Sequence, residues 1–274
     1  MRALYVDLDG TLLGPDGTLL RGGDYAFSLA AVRALEACHR ADVEVVLMSG
    51  RRKVTVAENA RLFGQSSYIF EAGSCLVLDG EETWLTGDYQ PQPDASIHEQ
   101  IEASGAPAML LETYAGRLEY HDPWHHGREV SHLFRGLVDA REVDALLERE
   151  GHGGLRLVDN GGVHRRSPAL VGLADVRAYH LVPRGASKGN AVGRHMRARM
   201  IAPEDALAVG DSREDLETCM HVGAFWFVAN ALERDATLRD VIAGRPNVHI
   251  AEDSYGAGVY EAVVTTLARR RGAA

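Results

Sequence analysis

The sequence predicts an α/β protein: a parallel sheet with helices on both faces, interrupted by a smaller inserted α+β domain. Three observations carry this. Short apolar runs (residues 3–6 before Asp7, 43–48 before Ser49) stop at polar residues, as buried parallel strands do. Many of the 29 glycines follow such runs, where strands feed tight turns. The alternation of strand and helix patterns breaks near residue 87 and resumes near residue 183.

Taken in order, residues 26–40 place Leu29, Val32, Leu35 and Cys38 three apart, close enough to a 3.6 period for an amphipathic helix. Residues 3–48 therefore read as a βαβ unit. A helix over 54–63 and a strand over 68–70 follow. Asp79-Gly80 favours positive φ, so 74–78 and 83–85 read as a hairpin. A Pro/Gln/Asp stretch at 87–93 and the turn at 183–185 set boundaries of 1–86, 87–182 and 183–274. The insertion reads as a helix (94–103), strands (108–112, 117–120, 129–135), a helix (140–150) and strands (154–158, 163–166, 176–181), with helices on one face of an antiparallel sheet. Beyond it, a helix at 188–200, a strand at 206–209, a helix at 214–220 and a strand at 225–228 restore the rhythm. Segments 234–242, 248–250 and 259–269 close it.

The composition narrows the function. With 39 acidic against 29 basic side chains, the net charge is −10, which disfavours a polyphosphate partner and argues against nucleic acid. The three cysteines, Cys38, Cys75 and Cys219, show no C-x-x-C spacing, which fits a reducing compartment or unused thiols. Asp7 and Asp9 interrupt the N-terminus before a signal peptide could form, and no run approaches a membrane span. A cytoplasmic monomer or homodimer, without membrane partners, is the expectation.

Asp7-Leu8-Asp9-Gly10-Thr11 lies at the C-terminal end of the first strand, where open parallel sheets place ligands. Side chains alternate along an extended segment, so Asp7 and Asp9 can share a crevice while Leu8 enters the core. Two such carboxylates repel, and a cation would let both stay ionised. Asp211 and Asp215, in Gly210-Asp211-Ser212-Arg213-Glu214-Asp215, follow another apolar strand. Oxygen ligands around a hard ion suit Mg²⁺. Ser49-Gly50-Arg51 ends the second strand, where a hydroxyl and exposed N–H groups can hold anionic oxygens. Lys188 opens a helix and can neutralise a phosphoryl group. The alternatives are structural: an N-cap for Ser49, a dipole partner for Asp215, a solvated lysine. Together the groups propose an in-line displacement in which Asp7 attacks phosphorus and Asp9 serves as acid, then base.

Four ordered motifs, Asp7-Leu8-Asp9-Gly10-Thr11, Ser49-Gly50-Arg51, Lys188, and Gly210-Asp211 with Asp215, resemble the haloacid-dehalogenase-like phosphohydrolase superfamily. The resemblance implies a Rossmann-like core with a type IIB cap inserted between Ser49 and Lys188, as in sugar phosphatases and mannosyl-3-phosphoglycerate phosphatase. It further implies a nucleophile at Asp7, an acid/base at Asp9, phosphate contacts from Ser49, Gly50, Thr11 and Lys188, and Mg²⁺ held by Asp7, Asp9 through its carbonyl, Asp211 and Asp215. Glu214 stands where many relatives carry Asn. The implied substrate is a small phosphorylated sugar or glycosyl conjugate; a phosphosugar mutase or a non-catalytic sugar-phosphate-binding protein is the alternative.

Candidate readers of the leaving group are Arg51, His164, Arg165, Arg166, Arg128, His132 and Tyr179, with Arg135 beside them. The run His121-Asp122-Pro123-Trp124-His125-His126 reads as a polar loop rather than a zinc site, because it shows no clear ligand geometry. Phe225-Trp226-Phe227 reads as a core strand, with Asn230 able to orient the edge of the site.

Overall fold

A computed structural model describes residues 1–163 and 167–272. Its elements, in chain order, are β1 (Ala3–Asp7), α1 (Ala30–Arg40), β2 (Glu44–Met48), α2 (Lys53–Leu62), β3 (Tyr68–Phe70), β4 (Cys75–Leu78) and β5 (Glu81–Trp84). There follow α3 (Ile97–Ala103), α4 (Ala106–Thr113), β6 (Leu118–Tyr120), β7 (His132–Gly136), α5 (Ala140–Arg149), β8 (Leu155–Gly162) and β9 (Arg177–Pro183). The chain closes with α6 (Lys188–Arg199), β10 (Ala206–Gly210), α7 (Arg213–Leu216), β11 (Ala224–Phe227), α8 (Asn230–Arg234), α9 (Leu238–Ile242), β12 (Val248–Ile250) and α10 (Tyr255–Gly272).

The larger sheet runs β12-β11-β10-β1-β2-β3-β4-β5, parallel from β12 to β3 and antiparallel through the hairpin β4–β5. Alternate residues of β1 enter opposite cores. Leu4 and Val6 pack with α1, α2 and α10, whereas Ala3 and Tyr5 pack with α6 and the segment after β10. Burial on both faces explains why these strands are continuous apolar runs. The insertion carries a second, antiparallel sheet, β6-β7-β9-β8, with Ile97, Leu110, Val143 and Leu147 of α3–α5 packed on Phe134, Tyr179 and Leu181.

Several expected elements differ. Residues 108–112 are not a strand but the middle of α4, which starts after Gly105 in a left-handed conformation with Pro107 in its first turn. That pairing is a helix start, and an apolar run this short has no period to contradict it. The strand expected at 154–158 is β8, which continues through Asn160-Gly161-Gly162 with a register irregularity between Asp159 and Gly162; of the strand expected at 163–166, residues 164–166 lie outside the described residues. The strand expected from 129 begins at His132, because the backbone of 129–131 is engaged elsewhere. The helix expected over 214–220 divides into α7 and a 3₁₀ turn, and of the segment 234–242 only Leu238–Ile242 forms a helix, α9, with α8 ending at Arg234. Among the described residues no helix is long and apolar enough to cross a membrane.

Candidate active site

The parallel register brings separate parts of the chain to one sheet edge. Asp7 ends β1 level with Met48, so Ser49 follows one strand over and Asp211 follows β10 on the other side. Lys188 opens α6, whose N-cap Ser187 accepts the Asn190 N–H at 2.9 Å. Its ammonium, 1% exposed, reaches Asp7 Oδ1 at 2.8 Å, Asp215 Oδ1 at 2.7 Å and Glu214 Oε2 at 3.4 Å.

Asp215 is fixed by a capping box. Its Oδ2 accepts the Asp211 N–H at 3.1 Å, the Ser212 N–H at 3.0 Å and the Ser212 hydroxyl at 2.7 Å. Arg234 Nη1 donates to Asp211 Oδ2 at 2.5 Å. Asn230 donates to the Gly10 carbonyl at 2.8 Å and accepts the Tyr255 N–H at 2.8 Å, which ties the turn after Asp9 to the start of α10. Gly10 has φ +89°, and a Cβ there would collide with the Asp211 carboxylate, so the turn requires glycine.

The charges do not balance. Four buried carboxylates, Asp7, Asp211, Glu214 and Asp215, face two cations, Lys188 and Arg234. Burial pushes Asp7 well above the ordinary carboxylate range against the pull of Lys188. Burial and the Asp215 charge push Asp211 up to about 6, and burial pushes Glu214 up to about 7. Burial alone would lower Lys188, but Asp215, Asp7 and Glu214 hold it well above its usual value, so it stays charged. Both Glu214 carboxylate oxygens are buried without a hydrogen bond. One ligand atom from each of Asp7, Asp211 and Asp215 lies within 4.8 Å of the others. Excess buried negative charge and an all-oxygen donor set fit a hard divalent cation.

Above these residues lies a cavity of about 890 Å³, roofed by the inserted domain. Core and insertion are latched by Glu71, whose carboxylate accepts the N–H groups of Glu129 (2.8 Å), Val130 (3.1 Å) and Ser131 (2.7 Å). Arg128, 8% exposed, donates from Nη1 to the Gly50 carbonyl at 3.0 Å and to Ser131 Oγ at 3.0 Å. Gly50 sits so close to the roof that a Cβ would come within 2.7 Å of His180 Nε2.

No family model matches the chain. It is 28% identical over 235 residues to the phosphoglycolate phosphatase of Halorubrum lacusprofundi, covering 83% of this chain and 84% of that one. It is 26% identical over 269 residues to the phosphoglycolate phosphatase of Archaeoglobus fulgidus, covering 96% and 95%. Its fold is similar to that of the sucrose-phosphatase from Synechocystis sp. PCC6803, solved with sucrose and phosphate, at a TM-score of 0.63 and 16% identity over 97% of this chain and 98% of that one. The chain is thus similar in sequence to phosphoglycolate phosphatases and in fold to haloacid-dehalogenase-like hydrolases. The inserted domain sits over the sheet edge where these groups meet, in the position of a cap.

Asp7, Asp9, Ser49, Gly50, Arg51, Arg128, Lys188 and Asp211 all line the cavity. The Asp9 carboxylate is at the mouth, paired with the Arg51 guanidinium, whose Nε donates to Oδ2 at 2.6 Å. Thr11 is corrected: it is fully buried, does not line the cavity, and its hydroxyl donates to Asp211 Oδ1 at 3.3 Å. Tyr179 and His132 are corrected too. Tyr179 lies in the cap core with its hydroxyl on the Val138 carbonyl at 3.0 Å, and His132 stacks on His98, because β7 and β9 turn their other faces to the cavity. Their neighbours Leu133, Arg135, Ala178 and His180 occupy that face. His164, Arg165 and Arg166 lie outside the described residues. Sequence reasoning missed Arg234, Glu71 and His180; none belongs to a local motif, and each is recruited by topology.

Proposed function

We propose that the protein is a Mg²⁺-dependent phosphomonoester hydrolase that works through an aspartyl phosphate on Asp7, with residues 87–182 acting as the cap that selects the leaving group. The observation that carries this reading is the convergence of Asp7, Lys188 and Asp211 at adjoining strand and helix ends, with more buried carboxylates than cations. Mg²⁺ on Asp7, Asp211 and Asp215 would supply charge neutralisation for the phosphoryl oxygens.

The chain's own residues set the rest. Lys188 holds Asp7 Oδ1, leaving Oδ2 for attack on phosphorus in line with the leaving oxygen. Ser49 Oγ accepts the Arg51 N–H at 3.1 Å, which leaves its hydroxyl hydrogen to donate to a phosphoryl oxygen. Arg51 positions Asp9 at the mouth, where it protonates the departing alcohol and then takes a proton from the water that cleaves the acyl phosphate. Phosphoryl moves from substrate oxygen to Asp7 and then to water, so inorganic phosphate and an alcohol leave.

For the leaving group, a small phosphorylated sugar or glycosyl conjugate fits a cavity of about 890 Å³. A second reading, a small phosphorylated carboxylic acid, is favoured by Arg128: among the described residues this buried guanidinium makes no ion pair, and its Nη2 has no hydrogen-bond partner. The phosphoglycolate phosphatases to which the chain is similar agree with it. Phosphate release from hexose phosphates, disaccharide phosphates, glycosyl-phosphoglycerates, phosphoglycolate and nucleotides, with and without Mg²⁺, separates the readings. Intact turnover in Asp7→Asn would refute the nucleophile, and a preference for nucleotides would refute both substrate classes.

A further inference from the structure

The cap carries a second group of metal-ligating side chains that the reaction does not use. Residues 121–126 form a single turn, closed by the His125 N–H on the His121 carbonyl at 3.0 Å, which places Asp122, His125 and His126 on one side at i, i+3 and i+4 spacing. His126 Nε2 lies 3.2 Å and His125 Nδ1 3.9 Å from Asp122 Oδ1, and one ligand atom from each lies within 4.8 Å of the other two. Ligands about 2.0–2.2 Å from a tetrahedral ion sit about 3.4 Å apart, a spacing that the two Asp122 pairs match to within about 0.5 Å and that the two imidazoles reach by closing up by at most about 1.4 Å.

The turn is held before any ion binds. Arg52 donates to the His126 carbonyl at 3.1 Å and Arg128 to the Trp124 carbonyl at 3.0 Å. The His125 ring is stacked on Tyr120 at 4.7 Å between centroids. Its Nδ1 is buried, has no hydrogen-bond partner, and faces Asp122. Asp122 and His126 are two-thirds exposed, which leaves an entry path and room for a water as fourth ligand.

We infer that Asp122, His125 and His126 form a cap-borne site for a borderline divalent metal, Zn²⁺ by ligand type, separate from the all-oxygen cluster at Asp7, Asp211 and Asp215. Two imidazoles and one carboxylate suit Zn²⁺, Co²⁺ or Ni²⁺ and not Mg²⁺, whereas the core cluster has the opposite preference. Asp122 also lines the active-site cavity, so an ion there stiffens the turn at the cavity's rim.

The test is titration of the full-length protein with Co²⁺ in saturating Mg²⁺, followed by visible ligand-field absorption, then displacement by Zn²⁺ in a calorimeter. One equivalent should bind with a tetrahedral spectrum. Losing a group that merely orients a ligand costs ~10–100-fold in affinity, so His126→Ala and Asp122→Asn should each weaken binding at least tenfold, while Asp211→Asn leaves it unchanged. Both altered cap positions are exposed, and unchanged metal-free melting would establish that the variants fold. Absence of the spectrum, equal binding by the cap variants and wild type, or loss of binding in Asp211→Asn would each overturn the site.

Discussion

The floor and the roof of the cavity handle charge in opposite ways. On the floor, Asp7, Asp211, Glu214 and Asp215 crowd around Lys188 and Arg234, and burial raises the pKa of the first three. On the roof, Arg135 is matched by Glu119 at 2.6 Å and Arg177 by Asp159 at 2.7 Å. His180 is buried and held neutral, its pKa well below the usual value through burial and the nearby Arg128 and Lys188 charges. A surface balanced residue by residue can shape and hydrogen-bond a ligand without demanding one. A floor with surplus buried carboxylate stays ionised only with an added cation. Arg128 is the exception on the roof, and it touches the floor at Gly50.

The largest effect should come from the floor. Asp7→Asn removes the attacking oxygen's charge and should lower kcat by at least about 10³-fold in a phosphate-release assay. A smaller loss would move the nucleophile elsewhere. Lys188→Met leaves Asp7 and Asp215 buried without their shared cation, and urea unfolding of the cation-free protein should show a loss of ~3–5 kcal/mol. Wild-type stability in that variant would show that the carboxylates are already neutral.

On the roof, Arg128→Gln should reduce kcat/KM by ~10–100-fold, mainly through KM, and most strongly for substrates with an anionic leaving group. Arg177→Gln, whose charge Asp159 already satisfies, should change it little. Equal effects would erase the contrast between paired and unpaired arginines.

The smallest effect is a pH dependence on the floor. Glu214 is raised from 4.5 to about 7, so its stabilising protonation is complete below the unfolded pKa and is lost as pH rises through about 7. In EDTA, Glu214→Gln, which cannot ionise, should therefore melt higher than wild type by a margin that grows between pH 5 and pH 8 to a few °C, equivalent to ~1–2 kcal/mol. A margin constant with pH would show that Glu214 does not titrate there.

What was legible in the sequence follows from the same contrast. Asp7, Ser49 and Asp211 each stand one step from the end of a continuous apolar strand, so a local pattern locates them on one sheet edge. The roof depends on parity. Tyr179 and His180, or His132 and Leu133, are adjacent in sequence and face opposite sides of the cap sheet, and an alternating strand covered on both faces gives no clue to which side is the cavity. Residues 108–112 were ambiguous because four apolar or small residues before Glu112 suit a buried strand or a helix equally, and the start at Gly105 and Pro107 decides it. Glu71 was invisible because its partners, residues 129–131, are nearly sixty positions away.

The proposed hydrolysis turns on Asp7 carrying the phosphoryl group between substrate and water. Mass spectrometry of acid-quenched Asp9→Asn protein, incubated with Mg²⁺ and the best substrate of the panel, reads this directly, since slowing the second step lets the intermediate accumulate. A phosphoryl adduct confined to Asp7 and absent from Asp7→Asn is expected. An adduct on any other residue would contradict it, as would steady turnover by wild type with Asp7 unmodified in both proteins.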